Sequence, residues 1–212
     1  MNFIPAKESR FIIWFFYQYT SFLLKRRFRN VIINQQYKLV NEKRTVYFIN
    51  HFYWWDGLLP LYLNNKIFGQ TARALMEDKQ MKKYPFFSKI GAFSINLEDT
   101  RSTIHSLRYA LQSLARPNSS LFIYPQGKIV PVSYTHPNFK PGLAWLYQHS
   151  SDIDFVPIAF YIDHSKHHKP DLYISIGESV LPNKTLSKKE LTKEFELKLT
   201  SLLTQIRADI HS

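Results

Sequence analysis

The chain has 212 residues, 45% of them hydrophobic and 16% aromatic, which is enough to bury the core of one full domain and excludes a disordered protein. Lysine and arginine number 28 against 16 acidic residues, and the resulting +12 net charge calls for an anionic counterpart: nucleic acid, an anionic membrane face or a charged substrate. The absence of cysteine excludes disulfides and thiolate metal sites and agrees with a reducing compartment.

Residues 11–24 are strongly apolar and aromatic, with Trp14, Tyr17 and Tyr19 among them, and Lys25, Arg26, Arg27 and Arg29 follow at once. The run is shorter than the ~20 residues a spanning helix needs. Its charges follow the apolar stretch, whereas a signal peptide carries them in front. The pattern predicts a helix lying in the membrane interface, rings at headgroup depth and basic side chains on anionic lipid. An N-terminal helix packing its apolar face on the domain is the alternative.

Residues 31–40 carry little signal, with 37–40 the best place there for a strand. Residues 45–49, Thr-Val-Tyr-Phe-Ile, read as a buried strand that ends abruptly in Asn50-His51, and Asp56 precedes an apolar helical stretch over 57–63. A histidine at a strand end, with a carboxylate on the next helical turn, suits general-base catalysis. The carboxylate accepts the Nδ1 proton, fixes the tautomer and leaves Nε2 free to take a proton from a hydroxyl. A half-buried histidine and a helix-capping aspartate would leave the same trace. Trp54 and Trp55 read as core or membrane-facing rings.

Further along, Asn64-Asn65 predicts a turn, 70–76 a strand, 77–87 a helix and 91–96 a short strand. The lysines between 79 and 89 suit CoA phosphates, an acidic carrier protein, lipid headgroups or a solvated helix face. Ile104, Leu107, Leu111 and Leu114 fall at helical spacing, and 121–124 reads as a buried strand. A turn-rich loop over 137–142 leads into a helix through Trp145 and Tyr147. Residues 155–161 and 172–176 are two more strands, the first placed at an edge or bulge by Pro157. His164, His167 and His168 lie beside Lys166 and Lys169 without any zinc spacing, as in a solvated loop. Ser187 and Glu190 form a capping box ahead of a last amphipathic helix. Alternating strands and helices predict a single α/β domain, residues 31–212, with a mostly parallel or mixed sheet flanked by helices; residues 1–30 form the membrane-interface anchor.

Four spaced segments then resemble the glycerolipid acyltransferases, the lysophosphatidate (1-acylglycerol-3-phosphate) acyltransferase superfamily. Asn50-His51 with Asp56 resembles its Asn-His-x4-Asp block, and Gly91-Ala92-Phe93-Ser94-Ile95-Asn96 its Gly-led second block. Tyr124-Pro125-Gln126-Gly127 resembles the Phe-Pro-Glu-Gly block, and Val156-Pro157-Ile158-Ala159 the fourth. Phe139-Lys140-Pro141-Gly142 sits where the family has a Phe-Lys-x-Gly turn.

The resemblance implies transfer of a fatty acyl group from acyl-CoA or acyl carrier protein to a lipid or lysolipid hydroxyl, as in phospholipid biosynthesis, without a covalent acyl-enzyme. His51 would be the general base and Asp56 its orienting partner. Asn50, Asn96, Arg101, Gln126, Gly127 and Lys128 would line the substrate site, with the Gly127 N–H as a candidate oxyanion donor. No metal or other cofactor is implied, and the implied location is the cytoplasmic face of a membrane, held peripherally. No serine sits in a Gly-x-Ser-x-Gly elbow.

Three departures bear on the acceptor. Leu97 stands where the family carries arginine, Gln126 replaces glutamate, and Lys128-Ile129 replace Thr-Arg. A phosphate site wants cationic donors, and a lysine does not copy a bidentate guanidinium. Lys128 and Arg101 are the candidates to replace it, and a less anionic acceptor than lysophosphatidate is expected. A catalytically inactive membrane-bound homologue that binds lipid is the alternative. No helix-turn-helix, zinc or RNA-recognition signature supports nucleic-acid binding.

Overall fold

The computed structural model describes residues 3–40, 42–131 and 137–211, without the side chains of Trp54, Trp55 and His211. Among these the strands are β1 (Val31–Gln35), β2 (Arg44–Ile49), β3 (Thr71–Glu77), β4 (Ala92–Ile95), β5 (Ser119–Ile123), β6 (Ile153–Asp163) and β7 (Asp171–Ile176). They form one sheet in the order β1-β7-β6-β2-β5-β3-β4. Every neighbouring pair is parallel except β6 and β7, so the sheet is mixed, as expected. The helices are α1 (Arg10–Arg27), α2 (Leu59–Leu63), α3 (Asp78–Lys83), α4 (Thr100–Ser113), α5 (Gly142–Gln148) and α6 (Lys188–His211).

The central strand β2 shows why the sequence signal was continuous rather than alternating. Its Val46 and Phe48 enter the core beneath α4, α5 and α6, while Tyr47 and Ile49 enter the opposite core beneath α1 and α2. A strand covered on both faces has no polar side to show. Phe155 and Phe195 fill the first core, and Tyr47, Phe68 and Phe122 stack in the second. The capping box on α6 forms, with the Ser187 N–H donating to Glu190 Oε2 at 2.8 Å and the Glu190 N–H to Ser187 Oγ at 3.3 Å.

Several local expectations are corrected. The first strand lies at Val31–Gln35 and not at 37–40, where Tyr37 instead turns into the core and donates its hydroxyl to Asp154 Oδ2 at 2.8 Å. The predicted 77–87 helix stops at Lys83, because Pro85 has no N–H to continue it, and a 3₁₀ helix Pro85–Ile90 follows. The Asn64-Asn65 turn is a π-helical stretch, Asn64–Phe68, ending on Gly69. Pro157 lies in an interior strand and not at an edge: its carbonyl accepts the Gly177 N–H at 3.0 Å just where β7 ends, so its missing donor falls at the margin of the ladder.

Residues before α1 cover the outer side of β4. The Ile4 N–H donates to Ser94 Oγ, the Ser94 N–H to the Ile4 carbonyl, and the Lys7 and Ser9 N–H groups to Ser88 and Lys89. Such cover removes an exposed sheet edge. Helix α1 then buries Thr20 and Leu24 and stacks Phe16 on Phe86 at 4.4 Å. Its other side leaves large rings in the open: Phe11 is 71% exposed, Phe22 59% and Trp14 56%. No described helix is long and apolar enough to cross a membrane.

Gly91, between the Pro85–Ile90 turn and β4, has φ +99°. A Cβ there would lie 2.6 Å from the Ala72 carbonyl oxygen of the neighbouring strand β3. Gly91→Ala therefore combines a disfavoured φ with a backbone clash, and a loss of about 2–3 kcal/mol is expected. Urea unfolding of the two proteins would measure it.

Candidate active site

At the C-terminal end of β2 the main chain leaves the sheet, and Asn50 fixes the exit. Its Nδ2 donates to the Phe160 carbonyl at 2.9 Å and its Oδ1 accepts the Phe160 N–H at 2.8 Å, so its whole amide braces β2 against β6. His51 is next, held through its main chain from both sides by the segment after β5. Its N–H donates to Gln126 Oε1 at 2.7 Å, and its carbonyl accepts the Val130 N–H at 2.9 Å.

The chain then folds into the 3₁₀ helix Trp54–Leu58, which brings Asp56 back beneath the imidazole. Asp56 Oδ2 lies 3.2 Å from His51 Nδ1 and accepts the Phe52 and Tyr53 N–H groups at 2.9 and 2.8 Å. Asp56 is fully buried, while the His51 side chain stays 20% exposed. One carboxylate oxygen thus caps the turn and holds the imidazole at once, so the capping and orienting readings of Asp56 describe the same atom. Its other oxygen is buried without a hydrogen-bond partner among the described residues.

Tyr124 closes the far side. Its ring lies 4.5 Å from the imidazole, and its hydroxyl donates to the Asp56 carbonyl at 2.6 Å. Burial, reinforced by the Asp56 charge, pushes this phenol well above its ordinary value, which keeps it a donor. Sequence reading passed over this residue, although a tyrosine in place of the family's phenylalanine was the available signal.

A small cleft beside His51 is lined by Phe52, Gln126, Val130, Pro131, Pro137 and Leu203. Gly127 turns the chain at φ +64°, and its N–H donates to the Tyr124 carbonyl at 3.0 Å. That donor is engaged in the turn, which corrects its expected role at an oxyanion. What Gly127 provides is close approach: a Cβ would lie 3.0 Å from both Leu97 Cδ1 and Lys140 Cε. Leu97 therefore packs against the site from the position of the missing arginine, and Lys140, noted in sequence only as part of a turn, reaches the same place. Lys128 is exposed one residue on.

Asn96 and Arg101 lie apart from the dyad. Asn96 Oδ1 accepts the Glu98 N–H, and Arg101 is exposed in the first turn of α4, its N–H donating to Asp99 Oδ1. Neither touches His51 or Asp56 among the described contacts.

Gln126 gives a test of the loop support. Gln126→Ala leaves the His51 N–H without its acceptor, a loss of about 1–3 kcal/mol. Gln126→Glu keeps an acceptor oxygen and should restore most of that stability. Thermal unfolding separates the two, and equal melting temperatures would show that the bond supports nothing.

The mixed sheet sets this polar cluster at the C-terminal end of its central parallel strands, the end at which open α/β sheets hold their ligands. The chain belongs to the acyltransferase family: the family model described as Acyltransferase matches residues 30–161. No curated protein matches it in sequence. Its fold is similar to that of the 1-acyl-sn-glycerophosphate (LPA) acyltransferase PlsC from Thermotoga maritima, with a TM-score of 0.65 and 15% identity over 92% of this chain and 80% of that one.

Proposed function

We propose that this acyltransferase moves a fatty acyl group from an acyl thioester, acyl-CoA or acyl carrier protein, to a lipid or lysolipid hydroxyl, with His51 as general base and Asp56 orienting it. The observation that carries the reading is the 3.2 Å contact between His51 Nδ1 and the fully buried Asp56 carboxylate, beneath an imidazole that remains open to solvent. With Nδ1 directed at Asp56, Nε2 accepts the acceptor's hydroxyl proton while the oxygen attacks the thioester carbonyl. Collapse of the tetrahedral intermediate expels the thiolate, which takes that proton back from His51. The acyl group never resides on the protein. Gln126 and Tyr124 fix the dyad and take no part in proton transfer, since an amide does not titrate and the buried phenol keeps its proton.

The acceptor is less anionic than lysophosphatidate: a lyso-aminolipid, a polyol or a glycolipid hydroxyl. In support, Leu97 fills the arginine position with hydrocarbon against Gly127, and Gln126 is occupied by His51. Lys128 and Lys140 offer only point charges there, and Arg101, exposed on the first turn of α4, makes no described contact with the dyad. Labelled acyl thioester supplied to the purified enzyme with alternative acceptors tests this. Lysophosphatidate is expected to turn over at least tenfold more slowly than the best neutral acceptor. Saturable turnover of lysophosphatidate at the highest rate of the set would refute the altered acceptor.

The exposed rings of α1 support attachment in the plane of the membrane interface, with residues 1–30 as the anchor and the enzyme on the cytoplasmic face. Because Leu24 and Phe28 also belong to the core beneath the sheet, attachment is better tested by substituting exposed rings than by truncation.

A further inference from the structure

Helix α1 ends against the hairpin turn that joins β6 to β7. The Arg29 N–H donates to the Pro170 carbonyl at 2.9 Å, Lys169 Nζ to the Lys25 carbonyl at 3.2 Å, and the Asn30 N–H and side-chain amide both to Asp171 Oδ1 at 3.0 Å. On the other side of the turn, Lys166 Nζ donates to the Ile210 carbonyl in the last turn of α6. Residues 164–169 are all exposed, as are Lys25, Arg26, Arg27 and Arg29. Lys25, Arg29, Lys166 and Lys169 thus meet at this junction, with Arg26 and Arg27 exposed on the same last turn of α1. None forms an ion pair among the described residues.

Two features fix what this surface meets. The first is helical phase. At about 100° per residue, Phe11, Phe15, Phe22, Lys25 and Arg26 fall within roughly 100° of arc on α1, so the exposed ring stripe runs directly into the cations. The second is its place in the sheet. Strands β2 and β6 are parallel, with Ile49 opposite Ile158 and Asn50 tied to Phe160. Strand β6 continues only to Asp163, about 10 Å further, before the turn. The cations therefore lie at the end of the sheet where His51 emerges.

We propose that the C terminus of α1 and the β6–β7 turn form one electropositive foot that binds anionic lipid headgroups. Membrane contact then extends from the rings of α1 onto the catalytic domain and turns the His51 end of the sheet towards the bilayer. The proposal rests on the interfacial reading of α1 and is independent of the chemistry at His51. Charge complementarity alone would also suit an acidic carrier protein. The ring stripe decides for lipid, since aromatic side chains continuous with a basic surface gain by entering the headgroup region.

The test uses the full-length protein and vesicles of phosphatidylcholine, with or without about one-third phosphatidylglycerol. Each lysine or arginine near an anionic surface contributes about fivefold in binding, so Lys166→Gln with Lys169→Gln should weaken binding to the anionic vesicles about 10- to 30-fold. Lys25→Gln with Arg26→Gln, at exposed positions on the ring stripe, should do the same, and Lys169→Gln alone, with a loss of about fivefold, carries the test of the turn if the double turn variant is unstable. Neither pair should change binding to pure phosphatidylcholine, whereas Phe11→Ala with Phe22→Ala should weaken binding to both vesicles. Wild-type affinity of both cation pairs for anionic vesicles would overturn the proposal. So would an equal loss on both vesicle types, or a loss of acyl carrier protein binding with vesicle binding intact. Acyl transfer assayed in detergent stays unchanged in the cation variants, and His51→Ala binds vesicles as wild type. Failure of the acyl-transfer reading and failure of the foot are therefore seen separately.

Discussion

Replacing His51 with alanine is expected to lower kcat for acyl transfer by a factor on the order of 100 to 10,000, the range that loss of a general base produces. The effect should fall on kcat rather than KM, because in the proposed mechanism the imidazole acts on the hydroxyl proton only as the new bond forms. The fold should survive. The two main-chain bonds that hold residue 51, to Gln126 Oε1 and from Val130, do not involve the side chain. Among the described residues, the imidazole's contacts with Asp56 and the Tyr124 ring are lost. Steady-state kinetics with labelled acyl thioester, beside a melting curve, is the measurement. A variant that melts like wild type and keeps its turnover would remove His51 from the chemistry.

Asp56→Asn is expected to cost a comparable factor, on the order of 100- to 10,000-fold, for a different reason. The amide oxygen can still accept the Phe52 and Tyr53 N–H groups, so the turn that caps itself on this residue is retained. What changes is the imidazole. Asparagine with its oxygen in the Oδ2 place still faces Nδ1 but brings no charge to stabilise the imidazolium, whereas a flipped amide would aim its NH₂ at Nδ1, favour the tautomer with its proton on Nε2 and give up the two main-chain donors. Asp56→Ala would confuse this with instability, because it leaves two main-chain donors without an acceptor at about 1–3 kcal/mol. Nitrogen-15 NMR of the histidine ring reads the tautomer directly. A wild-type tautomer with wild-type turnover in Asp56→Asn would show that orientation by the carboxylate is not needed.

Both predictions concern residues close together in the chain, and that closeness is why the dyad was legible before the structure. Five positions separate His51 from Asp56, a distance that one strand end and one helical turn close on their own. The supports of the dyad were not legible in the same way. Gln126 lies 75 residues from His51, and Phe160 lies 110 residues from Asn50. Those pairs meet only because β5 and β6 are the two neighbours of β2 in the sheet. Tyr124 illustrates the limit: its strand was predicted, yet its hydroxyl acquires a meaning only once the Asp56 carbonyl is 2.6 Å away.

Composition and periodicity by themselves determined an α/β domain, its buried strands, the amphipathic α4 and α6, and an N-terminal helix whose rings precede its charges. These are local properties, written in which residues can hide and at what spacing. The tertiary structure alone decided that Asn50 braces two strands, that the Gly127 N–H is taken up by its own turn, and that Leu97 and Lys140 share the space over Gly127. It also decided that the basic end of α1 meets the β6–β7 turn. Parallel crossovers bring together segments that carry no mark of one another, so these contacts follow from strand order rather than from any pattern along the chain.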